Sequence, residues 1–264
     1  MNHLILNSNF IFFMIFGNYQ TIGEKLISTF IPDTYSGIKK RGMSYGMKRL
    51  KKFLFEYDFD EPLYVLKLDI HHFYPSINLD ILKSMLGKKI KDKGILKLLF
   101  KLIDSHPDGL PIGNFLSQLL ANFYPSNFDH HVKEELGLKH YLRYCDDIVI
   151  LDTSKQVLKI ALEDIKVELG KMGLEVKSNV QIFPIERNGI DFMGYVFKRH
   201  DILLRKRIER KFRKSVKDFN LEPSKHNYQS IASYFGWVKG LSKGDLLWDS
   251  LVGKPLKVCK EEAA

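Results

Sequence analysis

The chain alternates between short apolar runs and longer stretches in which apolar residues recur with helical spacing. One apolar run, residues 63–68, ends directly in Asp69. Two further runs, 140–144 and 148–151, flank the sequence Cys145-Asp146-Asp147. Runs of this length predict buried strands, and the second pair predicts a β-hairpin whose turn displays two adjacent carboxylates.

Helical spacing dominates the rest of the chain. It predicts helices over about 79–105, 115–136 and 154–172, and a basic helical region over about 203–250. A short hairpin is predicted around 174–198. The order of strand, helices, hairpin and helix predicts an α+β fold, with helices packed on one face of an antiparallel sheet.

Composition changes this picture mainly through charge. Of the 264 residues, 45% are hydrophobic and 27% are charged, which is an ordinary globular mixture. The 41 Lys and Arg residues exceed the 31 Asp and Glu residues, so the formal net charge is +10. Such an excess favours a polyanionic partner, because each neutralised phosphate releases condensed counterions; a merely basic soluble protein is the alternative.

Two features bear on the cellular compartment. Cys145 and Cys259 are too few for a disulfide framework or a four-ligand zinc site, and a reducing cytoplasm fits them. The apolar run 10–16 is too short to span a membrane, and no basic region precedes it as in a signal peptide. We expect a cytoplasmic protein with no membrane partner, in which this run is a buried segment or the remnant of a longer element.

The candidate chemistry lies in three acids. Strands placed side by side would bring Asp69, Asp146 and Asp147 close together, and their mutual repulsion would need a cation to offset it. Hard carboxylate oxygens suit Mg²⁺, and two such ions can clamp the attacking and leaving oxygens of a phosphoryl transfer. Taken alone, an acid at a strand end is usually a cap, and two acids in a turn are common.

The motifs around these acids resemble those of reverse transcriptases. Five segments follow the order of motifs A to E in that family, and the resemblance covers roughly residues 30–245. The segments are 67–77 for motif A, 109–118 for motif B, 144–147 for motif C, 174–177 for motif D and 192–195 for motif E.

The resemblance implies the architecture of a right-hand polymerase. Partial fingers are expected at 1–62, a palm at 63–198 with fingers helices inserted at about 79–108, and a short helical thumb at 199–264. Residues 1–30 carry Lys25 as their only cation, where the family has a basic fingers motif that contacts the nucleotide triphosphate. The fingers are therefore expected to be incomplete.

The same resemblance assigns the metal site. Asp69 and Asp146 would hold two Mg²⁺ ions, for which Mn²⁺ is a possible substitute. Asp147 would contribute more weakly, with help from the backbone carbonyl of Ile70. Lys177 matches the motif D lysine, a candidate proton donor to the pyrophosphate leaving group; an ordinary surface lysine is the alternative.

Nucleotide binding is expected from a second set of residues. Tyr74 falls where the family places an aromatic gate against the 2′-hydroxyl, and a core aromatic is the alternative. Gly113 would let the backbone approach the incoming base, and Gln118 could hydrogen-bond near the template or nucleotide. Lys39 and Arg41 could replace the missing triphosphate contact.

Contacts with nucleic acid are expected beyond motif D. Phe192, Gly194 and Tyr195 resemble the primer grip that positions the 3′ end. Cations that follow them would contact the phosphate backbone of template and primer without reading sequence. These cations are Arg205, Lys206, Arg207, Arg210 and Lys211.

Two segments, 112–118 and 33–42, resemble the enzymes of diversity-generating retroelements in bacteria and phages. That subgroup implies an RNA template, a DNA or RNA primer, dNTPs, a small basic accessory protein and error-prone copying at adenines. Two alternatives stay open: a defence-associated reverse transcriptase, and a non-catalytic RNA-binding subunit with a degenerate fingers region.

Overall fold

Five strands form the central sheet, in the order β1-β3-β4-β2-β5. The computed structural model describes residues 22–58, 60–106, 108–111 and 115–252, so the apolar run 10–16, Gly113 and Cys259 lie outside the described residues. The strands are β1 Thr34–Tyr35, β2 Tyr64–Asp69, β3 Tyr141–Tyr144, β4 Asp147–Asp152 and β5 Gln181–Pro184.

The chain divides into two compact units. The first consists of Met1–Arg49 and Leu63–Ile182, and the second of Leu50–Pro62 and Phe183–Ala264. The chain passes from the first unit to the second within β5.

The pairing of the central strands confirms the predicted hairpin. Strand β4 pairs antiparallel with both β2 and β3, whereas β1 pairs parallel with β3. The sheet is therefore mixed rather than purely antiparallel, as a strand can lie parallel to β3 when a long helical connection separates the two in sequence. Strand β4 has four consecutive buried residues, 148–151, which explains why apolar residues do not alternate with polar ones there.

Seven helices of the first unit have bounds that the structure describes. Several begin at a side-chain cap: Asn78 accepts hydrogen bonds from the amides of Asp80 and Ile81, and Ser154 accepts one from Val157. The helices are α1 Met43–Phe55, which continues into the second unit, α2 Phe73–Ser76, α3 Leu79–Lys89, α4 Lys93–Ile103, α5 Phe115–Phe123, α6 Ser126–His130 and α7 Lys155–Lys171.

The single helix predicted over 115–136 is wrong in detail. It breaks after Phe123 and restarts at Ser126, because Pro125 has no amide hydrogen and restricts the residue before it. The restarted helix then widens into a π-helical segment, His131–Glu135. π-Helical turns of this kind are rare.

The second unit has its own small sheet and helices. Its three strands pair antiparallel in the order β6-β7-β8, and its helix α9 has Phe212 and Val216 as buried residues. The predicted hairpin around 174–198 is thus two separate structures, β5 in the first sheet and β6–β7 in the second. The elements are α8 Ile185–Asn188, β6 Ile190–Phe192, β7 Tyr195–Phe197, β8 Ile202–Leu204, α9 Lys206–Leu221, α10 Lys225–Val238 and α11 Gly244–Val252.

The α+β class expected from the sequence is confirmed. Among the described helices, none combines the length and the apolar character that crossing a membrane requires.

Candidate active site

The three predicted acids lie at the same end of neighbouring strands. Asp69, the last residue of β2, pairs in register with Asp147, the first residue of β4. The intervening turn is tied to the end of β2, since the amide of Ile70 donates to the carbonyl of Asp146 at 3.0 Å. The structure therefore brings together the acids that the sequence separates by more than seventy residues.

Lys177 lies between two of these acids. Its Nζ is 3.6 Å from Asp69 Oδ1 and 3.9 Å from Asp146 Oδ2. Backbone pairing holds it there, because the amide of Lys177 donates to the carbonyl of Asp69 at 2.8 Å. The amide of His71 also donates to the carbonyl of Glu175 at 2.7 Å. Lys177 is thus part of the acidic site rather than an isolated surface lysine.

The electrostatics of the turn favour a bound cation. Burial raises the pKa of Asp146, and the charge of Asp69 raises it further. A backbone hydrogen bond and Lys177 lower the pKa in part, and the net pKa stays above its usual range. The two carboxylates repel each other, and they already attract the ammonium of Lys177. Such a site suits a divalent cation, whose charge offsets that of both carboxylates.

Asp147 has a different partner. Its carboxylate forms an ion pair with Lys67 of the adjacent strand, and the two side chains are only 21% and 17% exposed. Asp69 and Asp146 therefore share Lys177, while the charge of Asp147 is offset separately. Sequence reasoning missed Lys67, although its place two residues before Asp69 puts both side chains on one face of β2.

Tyr74 reaches the same turn from helix α2. Its hydroxyl lies 3.4 Å from Cys145 Sγ, and burial, followed by this contact, raises the pKa of Tyr74. Part of its ring packs against the core of the first unit. The ring of Tyr74 is thus half-buried and its hydroxyl contacts the motif C turn, while its role as a gate stays a prediction.

Motif B approaches Tyr74 through its backbone. Gly109 has a φ of +75°, and the amide of Leu110 donates to the carbonyl of Tyr74 at 3.0 Å. A Cβ on Gly109 would overlap the carbonyl oxygens of Tyr74 and Pro75, so this position requires glycine.

The predicted nucleotide contacts are less closely grouped. Gln118 lies beside Gly37, where a Cβ would come within 2.9 Å of its Oε1. Arg41 donates to the carbonyl of Ile31 at 2.9 Å, and Lys39 is exposed. In the described part of the chain, no ion pair joins Lys39 or Arg41 to the three acids.

The predicted primer grip lies in the second unit, where two of its side chains are buried. Phe192 is fully buried, and the hydroxyl of Tyr195 donates to the carbonyl of Trp237 at 3.1 Å. Gly194 has a φ of +86°, and a Cβ there would overlap Trp237 and Ile208. Phe192 and Tyr195 therefore belong to the core, which leaves the backbone of the turn to make any contact with a primer.

The basic helix α9 keeps its cations in solvent. Arg205, just before it, pairs with Asp191, with Nε 2.7 Å from the carboxylate. The other predicted cations are exposed, on a helix whose buried residues are Phe212 and Val216. They are Lys206, Arg207, Arg210 and Lys211.

Sequence reasoning also missed two charge networks built around buried acids of the first unit. Asp33 accepts from Arg49 at 2.7 Å and pairs with Lys133. Asp129 pairs with Arg143 at 2.6 Å, and both side chains are fully buried. A possible signal was the position of Arg143, a charged residue within an otherwise apolar strand immediately before motif C.

A second group of potential metal ligands lies on other elements. One ligand atom each from His131, Asp164 and Glu168 lies within 4.8 Å of the others. His131 is already hydrogen-bonded, with Nε2 2.7 Å from Asp164 and Nδ1 2.8 Å from Glu135. None of these residues belongs to the predicted metal site.

Comparisons with known proteins identify the family of the chain. The family described as "Reverse transcriptase (RNA-dependent DNA polymerase)" matches residues 41–197. The Retron Ec73 reverse transcriptase of Escherichia coli is 28% identical over 135 residues, which cover 46% of this chain and 43% of the relative.

Solved structures of telomerase are similar in fold. Apo telomerase from Candida tropicalis, truncated from its C-terminal domain, has a TM-score of 0.57 and 18% identity, covering 71% of this chain and 44% of that one. Telomerase from Candida albicans in complex with a TWJ fragment of telomeric RNA has a TM-score of 0.55 and 12% identity, covering 88% and 47%.

The chain spans less than half the length of these relatives. The family match nevertheless covers more than half of the chain and includes motifs A to E. The chain therefore belongs to the reverse transcriptase family.

Proposed function

We propose that the chain is an RNA-directed DNA polymerase that adds dNTPs to a primer on an RNA template. The observation that carries this proposal is the shared ion pairing of Asp69 and Asp146 with Lys177 at the end of β2. The end of β2 and the motif C turn thus present carboxylates to one cation, which is the arrangement that a metal-dependent phosphoryl transfer needs.

Asp69 and Asp146 would hold two Mg²⁺ ions, with the backbone carbonyl of Ile70 as a further oxygen ligand. Mg²⁺ would supply positive charge to offset that of the reacting phosphates, and Mn²⁺ could replace it. Asp147 would be a weaker contributor, because Lys67 already neutralises its carboxylate.

In the proposed reaction, the primer 3′-hydroxyl loses its proton to water, and its oxygen forms a bond to the α-phosphorus of the dNTP. The bond from that phosphorus to the bridging oxygen breaks, and pyrophosphate leaves with the electron pair. Lys177 is within reach of the acids on a half-exposed side chain, so its ammonium could donate a proton to pyrophosphate. Alignment and charge neutralisation supply most of the rate in such transfers.

Substrate selection would use the residues around the turn. The Tyr74 ring, held by its contact with Cys145, would exclude a nucleotide 2′-hydroxyl. Gly113 and Gln118 would face the base pair, and Lys39 and Arg41 the triphosphate.

The proposed polymerase has three regions arranged as in a right hand. Fingers, palm and thumb would correspond to 1–62, 63–198 and 199–264. The exposed cations of α9 would contact the phosphates of template and primer. The turn at Gly194, rather than the buried side chains beside it, would support the primer end. A small basic accessory protein stays a candidate partner.

A primer-extension assay on a primed RNA tests the activity. We expect Mg²⁺-dependent incorporation of dNTPs, which Asp146→Asn abolishes. Asp152→Asn is the matched control, since Asp152 is the last residue of β4, the strand that follows Asp146, and it pairs with Tyr64 far from the turn. Wild-type protein that binds primed RNA but never extends it with either metal would instead support a non-catalytic RNA-binding subunit.

The retron relative favours a second candidate for the biological context. Motif B resembles enzymes of diversity-generating retroelements, whereas the curated relative is a retron reverse transcriptase, which favours a defence-associated enzyme. Sequencing the DNA made in cells separates the two. Copies of a variable repeat would support the retroelement, and DNA unrelated to any such repeat would support the defence-associated enzyme.

A further inference from the structure

A fully buried arginine stands two residues before the motif C turn. Arg143 has five N–H donors, and each has an acceptor in the first unit. Nε and Nη2 donate to the two carboxylate oxygens of Asp129 at 2.7 and 2.6 Å. Nη1 and Nη2 also donate to the side chain and the carbonyl of Asn122, at 3.3 and 3.0 Å. This saturation holds the guanidinium in one orientation.

The remaining donor of Arg143 reaches the turn itself. Nη1 donates to the carbonyl of Cys145 at 3.0 Å. That carbonyl and the amide of Asp146 belong to one planar peptide group, so a bond to the carbonyl orients the backbone that carries the Asp146 carboxylate. A hydrogen bond from a charged donor is also stronger than a neutral one.

The turn requires this hydrogen bond because its backbone conformation is strained. Cys145 has a φ of +59°, a left-handed conformation that residues other than glycine rarely adopt. Positive φ at the first of two turn residues matches the type II′ hairpin turn, which glycine normally supplies. A side chain at this position therefore persists only where its surroundings enforce the conformation.

The same guanidinium links the turn to two further segments. Asn122, in α5, uses its Nδ2 to donate to the carbonyl of Ser36 at 2.6 Å. Asp129 accepts from Tyr141 at 2.5 Å and from Thr34 at 2.9 Å. Every side chain in this network is buried, so its geometry does not depend on solvent-exposed contacts.

We propose that Arg143 is a positioning residue of the metal site: its bond to the Cys145 carbonyl sets the turn that points Asp146 toward Asp69. This inference rests on the proposed function, because it concerns the carboxylates assigned there to metal binding. Residues behind the direct ligands of a metal commonly change its affinity by about 10–100-fold when altered.

The test measures metal binding directly, with Mn²⁺ as the only ligand. Free Mn²⁺ is counted by electron paramagnetic resonance during titration of the full chain. Asp146→Asn isolates the site at the turn from the separate cluster of His131, Asp164 and Glu168. We expect Arg143→Lys, which keeps the charge beside Asp129 but shortens the reach to Cys145, to weaken Asp146-dependent binding about tenfold.

Tyr141→Phe is the matched control. It removes one hydrogen bond to Asp129 and leaves all five bonds of Arg143 in place. We expect its thermal unfolding midpoint to fall, with Mn²⁺ affinity unchanged. Equal weakening in Tyr141→Phe and Arg143→Lys would overturn the inference, because general loss of stability would then explain both.

Two further outcomes separate the inference from the proposed function. Mn²⁺ binding that is the same in wild type and Asp146→Asn would overturn the metal site itself, and the inference with it. Asp146-dependent binding that survives unchanged in Arg143→Lys would overturn the inference alone. If Arg143→Lys does not fold, Arg143→Gln with Asp129→Asn removes both buried charges together. We expect the same loss of Mn²⁺ affinity in this double variant, and an affinity equal to that of the wild type would contradict the inference.

Discussion

Lys67 and Asp147 form an ion pair across adjacent strands, next to the acids that share Lys177. Both side chains of the pair are mostly buried. Two neighbouring carboxylates of the Tyr-Cys-Asp-Asp turn thus have different partners. This difference separates Asp146, which faces Asp69 and Lys177, from Asp147.

The difference predicts unequal effects on catalysis. Asp69→Asn should lower the rate of nucleotide addition about a thousandfold, because it removes a carboxylate from the shared site. Asp147→Asn should lower the rate only about tenfold, as expected of a group that supports the site indirectly. Single-turnover primer extension at saturating Mg²⁺ measures the rates of both variants. Equal losses of rate would contradict the distinct roles of Asp146 and Asp147.

The close packing around Gly109 predicts a large loss of stability when one methyl group is added there. Gly109→Ala should lower the free energy of unfolding by about 2 kcal/mol or more, because its Cβ would overlap two backbone oxygens at positive φ. Gly170→Ala is the control, since Gly170 lies within α7 and its Cβ would meet no atom within 4 Å. The free energy of unfolding of Gly170→Ala should rise by about 0.5–1 kcal/mol. Denaturant unfolding compares the two, and a neutral Gly109→Ala would show that the loop does not pack closely on Tyr74.

His131 predicts a pH-dependent contribution to stability. Burial lowers its pKa, but hydrogen bonds to Asp164 and Glu135 raise it more, so its pKa in the folded chain lies above the ordinary value. Protonation of His131 therefore stabilises the fold. This contribution is fully present below the pKa of His131 in the unfolded chain, about 6.5, and it is lost as pH rises through its pKa in the folded chain.

His131→Gln should therefore destabilise the chain more at about pH 5.5 than at about pH 8.5. Urea unfolding at both pH values gives the difference, and NMR titration of His131 measures its pKa directly. Asp164→Asn should bring that pKa down toward its ordinary value. The assignment fails if the cost of His131→Gln is the same at both pH values.

The cations of α9 predict a salt-dependent affinity for nucleic acid. Arg210→Ala with Lys211→Ala should reduce the slope of log affinity against log salt by about two, since each phosphate contact releases condensed counterions. Lys88→Ala with Lys89→Ala removes the same charge from the end of α3 and should leave the slope unchanged. Fluorescence anisotropy with a labelled primed RNA measures the slopes, and equal reductions in both variants would point to net charge alone.

Much of the local structure could be predicted from apolar spacing. The hairpin around Cys145-Asp146 and the strand ending in Asp69 follow from short apolar runs, because residue spacing differs between strands and helices. The break before Ser126 was also predictable, since Pro125 was visible in the sequence. Apolar spacing alone does not indicate this break, because it continues across Pro125.

The contacts that define the site could not be derived from local pattern. Lys67 meets Asp147 and Tyr74 meets Cys145 only because β2, α2 and the hairpin come together in the folded unit. The role of Lys177 stayed open in the sequence, and backbone pairing next to Asp69 decides where it lies. Strand register sets these distances, and a shift of one residue would turn every side chain to the opposite face.

The sequence by itself determined the strand that ends in Asp69, the hairpin of motif C and the order in which the motif acids occur, because these depend on residues close together in the chain. Tertiary structure decided which charges are paired. It divided the motif C acids between Lys177 and Lys67, and it buried Arg143 against Asp129 and the Cys145 carbonyl. Buried charges need partners from distant segments, and only packing of those segments selects them.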